Sequence, residues 1–443
     1  MTHATRGRPA PLTSPAALHS LVEQSMRVRV VPALLVLLLL GACRGDADRS
    51  PLKLNGDVPP PGPGYRNAFY QLLGTPFVEG NAVRWIWNGE IFDALVEEIG
   101  RARTSIDVVL YIWRPGKASD RIVQALATRA APVACRIVVD PVGSTPAFQK
   151  EVQPKLEAAR CEVHVFRPLG DDAVGPSRAR NHRKIVVVDG RVAFTGGFGI
   201  SDEWLGDGIH DRRWRDTAIR VEGPGTRQLQ LSFAQHWLES RGVLLPASEV
   251  TGGQGPAGDA RAAFVSSSAS VGATPADRMT QLTFLSARSR LWIPTAYFTP
   301  SEDIVAELES RARSGVDVRL LLPGPFHDQP EMRNGQRSLY RRLLAAGVQV
   351  WEYQPSMMHA KTVVADDRLT IVGSMNLDPL SLNLLEEGSL AVDDPRAASE
   401  LAAAFERDLR EAKRIDESSK EIPGFWGTVV REAFRQVGRA PGR

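Results

Sequence analysis

The sequence predicts a duplicated α/β fold, in which two mixed, mostly parallel sheets with flanking helices pack pseudo-symmetrically around one shared active site. Three observations lead to this prediction. Segments with helical spacing of apolar residues alternate with short apolar strands, a pattern typical of sheets covered by helices. The order of these segments occurs twice along the 443 residues. One polar motif also stands before a strand in each copy.

The composition is that of a folded protein and decides little about partners. Hydrophobic residues make up 43% of the chain and charged residues 24%, and the length is sufficient for two domains. The formal charge of +3 suits an anionic lipid or phosphate but is too small to indicate a nucleic-acid binder. We therefore expect no nucleic-acid partner.

The N-terminal region predicts export. Residues 26–43, MRVRVVPALLVLLLLGAC, combine two arginines, an apolar run that is short for a bilayer span, and small residues before a cysteine. The last four residues, Leu-Gly-Ala-Cys at 40–43, resemble the lipobox of bacterial lipoproteins. This resemblance implies a signal peptide over residues 1–42, a true start at Met26 and lipidation of Cys43. The alternatives are a plain membrane anchor, or a cleaved signal peptide with a chance cysteine.

Arg44 follows the cysteine, where aspartate would indicate retention at the inner membrane. We therefore expect a lipoprotein of the bacterial cell envelope that faces the periplasm, with the outer membrane favoured.

A linker and a first domain come next. Residues 43–75 are rich in proline and glycine and predict a tether. Residues 76–250 form the predicted first domain. Its segments predict helices and strands in alternation: helices over 88–106, 118–130 and 153–160, and strands over 107–113, 136–144 and 162–166.

The second half repeats this order after a low-complexity linker at residues 251–275. In the predicted second domain, residues 276–415, the segment ARSRLWIPTAYF aligns without a gap with ARTSIDVVLYIW of the first. Residues 416–443 form a tail that could be an amphipathic helix, either in the membrane interface or docked on the protein.

Two cysteines remain after Cys43, each at the start of a predicted strand. Cys135 and Cys161 would lie on adjacent parallel strands. Both a disulfide and a pair of buried thiols are consistent with the sequence.

The repeated motif is the strongest signal for chemistry. Residues 181–199 read NHRKIVVVDGRVAFTGGFG, and residues 358–376 read MHAKTVVADDRLTIVGSMN. Each contains His, Lys and Asp in H-x-K-x4-D spacing. The candidate catalytic residues are His182, Lys184, Asp189, His359, Lys361 and Asp366.

This spacing suits phosphodiester chemistry. Side chains at i and i+2 of a strand share one face, so the His and Lys of each copy point to the same place. Two lysines brought together by pseudo-symmetry repel each other unless an anion lies between them. One histidine could attack phosphorus while the other protonates the departing alkoxide.

Each imidazole also needs a partner that fixes its tautomer, usually a carboxylate. Asp216 follows the first motif and Glu387 follows the second, and these are the candidates, with Glu386 as an alternative to Glu387.

The twin motifs, with G-S-x-N in the second, resemble the phospholipase D superfamily. The segments RNHRKIVVVDGRVAFTGG, WRDTAIRVEGP and MHAKTVVADDRLTIVGSMNLDPLS are most similar to its bacterial cardiolipin synthases, over about residues 76–415. The resemblance implies a duplicated phospholipase D-like fold and phosphatidyl transfer without metal or cofactor through a phosphohistidine. It also implies that His182 is the nucleophile and His359 the acid.

The same resemblance places Lys184, Lys361, Asn376 and Ser374 at phosphate-binding or orienting positions, and it gives Asp189 and Asp366 a structural role. The first motif departs from the family pattern, because Gly199 stands where asparagine is usual.

Three functions are left open by the sequence. The first is cardiolipin synthesis from two phosphatidylglycerol molecules, and the second is hydrolysis of phospholipids with water as acceptor. The third is a nuclease, which would need a longer basic groove than the mild charge indicates. We expect phospholipid substrates, a membrane surface as partner, and a monomer.

Overall fold

The computed structural model describes residues 52–54, 57–130, 132–169, 179–251, 255–270 and 272–416, together with residues 418, 419, 429, 431 and 432. These residues belong to one compact unit. The predicted signal peptide and Cys43 lie outside the described residues, as does most of the predicted tail.

Among the described residues, seven strands belong to the N-terminal half: β1 Val78–Trp87, β2 Ser105–Leu110, β3 Ala134–Val139, β4 Glu162–Val165, β5 Ile185–Val188, β6 Val192–Gly196 and β7 Thr217–Glu222. The C-terminal half contributes β8 Ala260–Ser267, β9 Arg290–Pro294, β10 Asp317–Pro323, β11 Gln349–Tyr353, β12 Thr362–Ala365, β13 Leu369–Gly373, β14 Glu387–Asp393 and β15 Ala412–Ile415.

The strand order shows the duplication directly. It runs β15-β11-β10-β9-β12-β13-β14-β8-β1-β7-β6-β5-β2-β3-β4. From the β8–β1 junction outwards, equivalent strands follow one another in the same order in both halves. β8 corresponds to β1, β14 to β7 and β12 to β5. The duplicated α/β fold is therefore confirmed.

Two details of that prediction were wrong. The halves are joined edge to edge, through β1 and β8, into one continuous strand order instead of two separate sheets. Parallel pairing in the described part of the chain is confined to β2–β3, β3–β4, β9–β10 and β10–β11, so the sheet is mostly antiparallel. The reason is that β5–β6 and β12–β13 are joined by short turns, and such turns impose antiparallel pairing.

The helices are α1 Pro63–Leu73, α2 Glu90–Arg101, α3 Lys117–Thr128, α4 Pro141–Ala147, α5 Gln153–Ala158, α6 Thr226–Arg241, α7 Ala247–Thr251, α8 Pro275–Ser286, α9 Glu302–Arg313, α10 Pro330–Arg337, α11 Tyr340–Ala345, α12 Pro379–Asn383 and α13 Pro395–Arg410. A π-helical turn at Phe148–Val152 and a 3-10 turn at Asp202–Trp204 complete them.

Local sequence explains where these helices start. α13 begins with a proline after Asp394, whose side chain accepts a hydrogen bond from the backbone N–H of Ala397. α8 begins in the same way after Thr274. Both are N-caps that satisfy an otherwise unpaired N–H group, and proline at the first helical position loses no hydrogen bond there.

The two segments assigned to linkers contain regular structure. Helix α1 lies in the predicted tether, where Tyr65 and Phe69 are fully buried against the C-terminal core. Strand β8 lies in the predicted linker at 251–275 and pairs with β14 on one side and β1 on the other. The small residues of β8 looked like low complexity, but they pack in the sheet because neighbouring side chains fill the space.

Three apolar cores hold the molecule together. One lies within each half. The third combines both halves: it joins Phe233 and Trp237 of α6 and Val187 of β5 to Phe405 of α13 and Val364 of β12. The halves are therefore fixed to each other by a shared apolar core as well as by strand pairing.

Cys135 and Cys161 form a disulfide between β3 and the start of β4, with their Cα atoms 4.5 Å apart. The sequence left this open, and parallel pairing of these strands settles it. Within the described residues, no helix has the length and apolar character needed to cross a bilayer.

Candidate active site

The two His–Lys pairs stand immediately before equivalent strands, β5 and β12. In each pair the lysine ammonium donates a hydrogen bond to the carbonyl oxygen of its own histidine, at 2.6 Å for Lys184 and His182. All four side chains are less than one-tenth exposed. The alternation of side chains along an extended segment thus places each histidine beside its lysine, as the spacing predicted.

The carboxylates that orient the histidines cross between the halves. Nδ1 of His182, in the N-terminal half, lies 2.9 Å from Glu387 of the C-terminal half. Nδ1 of His359, in the C-terminal half, lies 2.8 Å from Asp216 of the N-terminal half. A carboxylate at Nδ1 holds the proton on that nitrogen and leaves Nε2 for the substrate. Neither half can form an oriented histidine alone.

Backbone hydrogen bonds fix this crossing. The N–H of His182 donates to the carbonyl of Glu386 at 2.8 Å, and the N–H of His359 donates to the carbonyl of Arg215 at 2.7 Å. Each accepting residue directly precedes an orienting carboxylate, so the histidine backbone and its side-chain partner are positioned together.

Glu386, the alternative candidate for orienting a catalytic histidine, forms a buried ion cluster instead. Its carboxylate contacts Arg167 at 2.7 Å and Nε2 of His236 at 3.1 Å, and its pKa is about 2. Burial alone would raise that pKa, but His236 and the two arginines, Arg167 and Arg183, lower it. Glu387, and not Glu386, is the partner of His182.

At the equivalent position beside His359, the buried charged residue is a base instead of an acid. Arg215 precedes Asp216 as Glu386 precedes Glu387, and its guanidinium contacts Asp408 of α13 through two bonds of 2.8 Å. Both of these buried ion clusters join one half of the molecule to the other.

The surroundings of the two histidines differ. Tyr111 meets His182 edge to face at 5.0 Å. His359 is enclosed by two indoles, with Trp214 at 4.8 Å and Trp204 at 5.2 Å between ring centroids. Neither tryptophan was predicted from the sequence, because neither belongs to the repeated motif.

The lysines are held close to deprotonation. Burial lowers the pKa of Lys184 to about 7 and that of Lys361 to about 8, although nearby carboxylates counteract it. The charge of Lys361 lowers the pKa of Lys184 further, because the two ammonium groups repel each other. A bound phosphate would remove this repulsion and keep both ammonium groups charged.

Both histidines favour the neutral form of the imidazole. Burial lowers the pKa of His182, and burial together with Lys361 lowers that of His359 to about 4. Burial would raise the pKa of both carboxylates, but the contact with His182 lowers that of Glu387, and the contact with His359 lowers that of Asp216.

The last residues of the two motifs differ in the side chains that they offer. Ser374 donates from its hydroxyl to Glu387 and also accepts a 3.0 Å hydrogen bond from the N–H of Gly388. Asn376 is buried and contacts Ser381, while its Oδ1 has no hydrogen-bond partner among the described residues. At the position equivalent to Asn376, Gly199 offers no side chain.

Asp189 and Asp366 lie at the opposite ends of their strands from the histidines. Asp189 accepts hydrogen bonds from the backbone N–H groups of residues 103, 104 and 105. Asp366 does the same for residues 288, 289 and 290. Both hold the loop that enters the strand next to the motif, and neither contacts the His–Lys pairs.

Among the residues that the structure describes, no group of three or more His, Cys, Asp or Glu side chains is arranged to hold a metal ion.

Comparison with known proteins agrees with this geometry. A family model described as "Cardiolipin synthase, PLD-like domain" matches residues 95–237 and 282–409, and each matched stretch contains one His–Lys pair. The chain belongs to this phospholipase D-like family.

Curated relatives are bacterial cardiolipin synthases. Cardiolipin synthase A of Pseudomonas aeruginosa is 34% identical over 362 residues, covering 79% of this chain and 71% of that protein. Cardiolipin synthase of Geobacillus thermodenitrificans is 33% identical over 379 residues, covering 83% and 74%. Cardiolipin synthase 2 of Bacillus cereus is 33% identical over 344 residues and 75% of this chain, and the match spans 65% of that relative's length.

A solved structure shares the fold. The crystal structure of phosphatidylserine synthase from Haemophilus influenzae Rd KW20 superposes with a TM-score of 0.63 and 15% identity, covering 85% of this chain and 98% of that one. At this identity the likeness concerns the architecture alone.

Proposed function

We propose that this protein is a phosphatidyltransferase that makes cardiolipin and glycerol from two molecules of phosphatidylglycerol. The observation that carries the proposal is the pair of buried His–Lys units, each oriented by a carboxylate from the other half. Cardiolipin synthases at 33–34% identity support the choice of reaction.

The first step transfers the phosphatidyl group to the protein. Nε2 of neutral His182 attacks phosphorus, the bond from phosphorus to the glycerol headgroup oxygen breaks, and His359 gives that oxygen a proton. Free glycerol leaves, and a phosphatidyl-histidine remains.

The second step reverses these roles. A hydroxyl of a second phosphatidylglycerol gives its proton to His359 and attacks phosphorus, and the bond to His182 breaks. Cardiolipin forms and both histidines return to their starting states.

The remaining residues stabilise charge. Lys184 and Lys361 hold the non-bridging oxygens, and the buried amide of Asn376 offers a further contact from the C-terminal half. The negative charge of a diester between the lysines favours the imidazolium and raises the pKa of His359, which allows that histidine to carry the proton it donates.

The assignment of His182 as nucleophile follows the family resemblance and fits the local surroundings. His182 is flanked by one aromatic ring, whereas His359 lies among two indoles, Asp216 and Lys361. The more enclosed imidazole suits a group that only exchanges a proton.

Lipid analysis tests the reaction. The purified protein is incubated with vesicles of phosphatidylglycerol, and the products are resolved by mass spectrometry, with a His182→Ala/His359→Ala double variant as control. We expect cardiolipin and glycerol in equal amounts. Phosphatidic acid without cardiolipin would identify a hydrolase instead, and cleavage of DNA or RNA with no lipid product would identify a nuclease.

We further propose that the protein is anchored in the bacterial envelope through a lipid on Cys43, which would hold the pocket at a membrane surface. Mass spectrometry of the protein expressed in a bacterium checks this, with Cys43→Ser as control. We expect a diacylglyceryl mass on residue 43 that the variant lacks. An unmodified cysteine in the wild type would contradict the anchor.

A further inference from the structure

The carboxylates that orient the two histidines receive different second hydrogen bonds. Glu387 accepts one from the hydroxyl of Ser374. The position equivalent to Ser374 is Gly197, which has no hydroxyl and no room for one, because a Cβ there would lie 2.3 Å from Oδ1 of Asp216. Asp216 accepts at Oδ1 from the backbone N–H of Thr217 at 2.7 Å, and its side-chain donor comes from elsewhere in the N-terminal half.

Trp204 supplies it. This residue lies in the 3-10 turn after the first motif and is fully buried. Its Nε1–H donates to Oδ2 of Asp216 at 2.7 Å, and the same oxygen contacts Nδ1 of His359 at 2.8 Å. The edge of the indole also meets the His359 ring at 5.2 Å.

The missing asparagine makes room for this indole. A Cβ on Gly199 would lie 3.0 Å from Cζ3 and 3.1 Å from Cη2 of Trp204, and 3.0 Å from Cβ of Ile112. These distances are tighter than ordinary contacts, and the longer side chain of asparagine would need still more space. An asparagine at position 199 therefore requires Trp204 or Ile112 to move from its present position.

We propose that Trp204 is the positioning residue of the half-site that contains His359. Its indole holds Asp216 against His359, as the hydroxyl of Ser374 supports Glu387, and it lies in a space that Gly199 leaves open. The structural part of this inference stands on the contacts above. Its effect on turnover rests on the proposed function, in which His359 exchanges the proton.

Trp204→Phe removes the N–H and keeps an aromatic ring. Trp292→Phe is the matched control, because the Trp292 indole is also buried and also donates to a carboxylate, Asp317, at 3.0 Å, but that carboxylate orients no histidine. We expect kcat for cardiolipin formation to fall about tenfold in Trp204→Phe with KM unchanged, and to stay near the wild-type value in the control.

The titration of His359 provides a readout that does not depend on activity. The charged groups around its ring are Lys361, Asp216 and Asp328. Without the indole donor Asp216 becomes a stronger partner for the imidazolium, so the pKa of His359 rises by about one unit in Trp204→Phe. NMR of protein labelled with ¹³C at histidine Cε1 measures it, and the His359 signal is the one absent from His359→Gln.

A steric test is independent of the hydrogen bond. Gly199→Ala crowds the indole and lowers kcat, and this loss is smaller in a Trp204→Phe background, where the outer ring that the new methyl meets is gone. Equal losses in both backgrounds would contradict the shared space.

The outcomes separate the two proposals. Absence of cardiolipin with the wild-type protein overturns the proposed function and leaves the titration to decide the role of Trp204. A Trp204→Phe variant that titrates like wild type and turns over like Trp292→Phe overturns this inference.

Discussion

The two half-sites have the same reacting groups and different supports. Each has a histidine, a lysine two residues later and a carboxylate from the other half. Around His182 the support is a serine hydroxyl and a tyrosine ring. Around His359 it is two indoles, one of them bonded to Asp216. Duplication thus kept the histidine, the lysine and the crossed carboxylate, while the groups around them diverged.

The ion clusters behind the half-sites show the same divergence. On one side an acid, Glu386, is surrounded by the basic residues Arg167 and His236, and on the other a base, Arg215, is bound by Asp408. Pseudo-symmetry preserved the location of a buried charge and inverted its sign. The contact between halves is therefore conserved in position but not in chemistry.

Replacing the histidines gives the largest expected effect. His182→Ala and His359→Ala should each lower turnover by more than about a thousandfold, because the first removes the proposed nucleophile and the second removes the proposed proton donor. Rates of cardiolipin formation measure this, and thermal unfolding serves as a control for folding. Turnover above a tenth of wild type in either variant would contradict the shared site.

The orienting carboxylates come next. Glu387→Gln and Asp216→Asn keep the shape but remove the charge at Nδ1, so kcat should fall about a hundredfold in each. Kinetics on phosphatidylglycerol check it. Equal losses would show that the crossed contacts matter equally despite their unequal supports, and an unchanged kcat in either variant would remove that acid from the mechanism.

The lysines predict how activity depends on pH. Phosphate binding needs charged lysines and the first step needs a protonated His359, and each group loses its proton as pH rises through its pKa. We therefore expect kcat/KM to fall as pH rises, most steeply through about 7 to 8, where the lysines also lose their charge. On the acid side kcat/KM should fall only below pH 6.5, because burial lowers the pKa of His182. In Lys184→Met, the fall of kcat/KM at alkaline pH that is due to lysine should follow the titration of Lys361 alone. A kcat/KM that stays constant from pH 6 to pH 9 would contradict this account.

The ion cluster at Arg215 should act on stability. Arg215→Met leaves Asp408 buried without its partner, and we expect a loss of about 3 kcal/mol in the free energy of unfolding. The double variant Arg215→Met/Asp408→Leu should recover part of that loss, since both charges are then gone. Denaturant unfolding measures both, and additive losses would show that the two residues do not interact.

The smallest expected effect comes from replacing the two motif aspartates, Asp189 and Asp366, whose contacts are the same in both halves. Asp189→Asn and Asp366→Asn should each cost about 1–2 kcal/mol of stability, because each carboxylate accepts several backbone hydrogen bonds. Activity per folded molecule should be retained. A variant that unfolds like wild type but loses turnover would place that aspartate in the reaction instead.

Much of the site was predictable because it depends on local rules. The period of two along a strand joins each histidine to its lysine, and the duplication indicates where the second pair lies. The crossing of Asp216 to His359 was not predictable, because it depends on how β1 meets β8 and on backbone contacts between distant segments. The tether helix and β8 were missed because their proline and small residues are stabilised by tertiary packing.

Trp204 was also missed, although the sequence carried an indirect sign. Gly199 was noted as a departure from the family pattern, and a lost side chain in a close-packed interior predicts that a neighbour occupies the space. Identifying that neighbour required the three-dimensional contacts.

Trapping the covalent intermediate tests the central claim, that equivalent half-sites have different roles. His359→Ala should accept a phosphatidyl group and release it slowly, while His182→Ala should accept none. Peptide mass spectrometry under alkaline conditions, which preserve phosphohistidine, locates the modification after incubation with phosphatidylglycerol. We predict a phosphatidyl adduct on His182 in the His359→Ala protein. An adduct on His359 in the His182→Ala protein would contradict the assignment of roles, and no adduct in either would contradict the phosphohistidine mechanism.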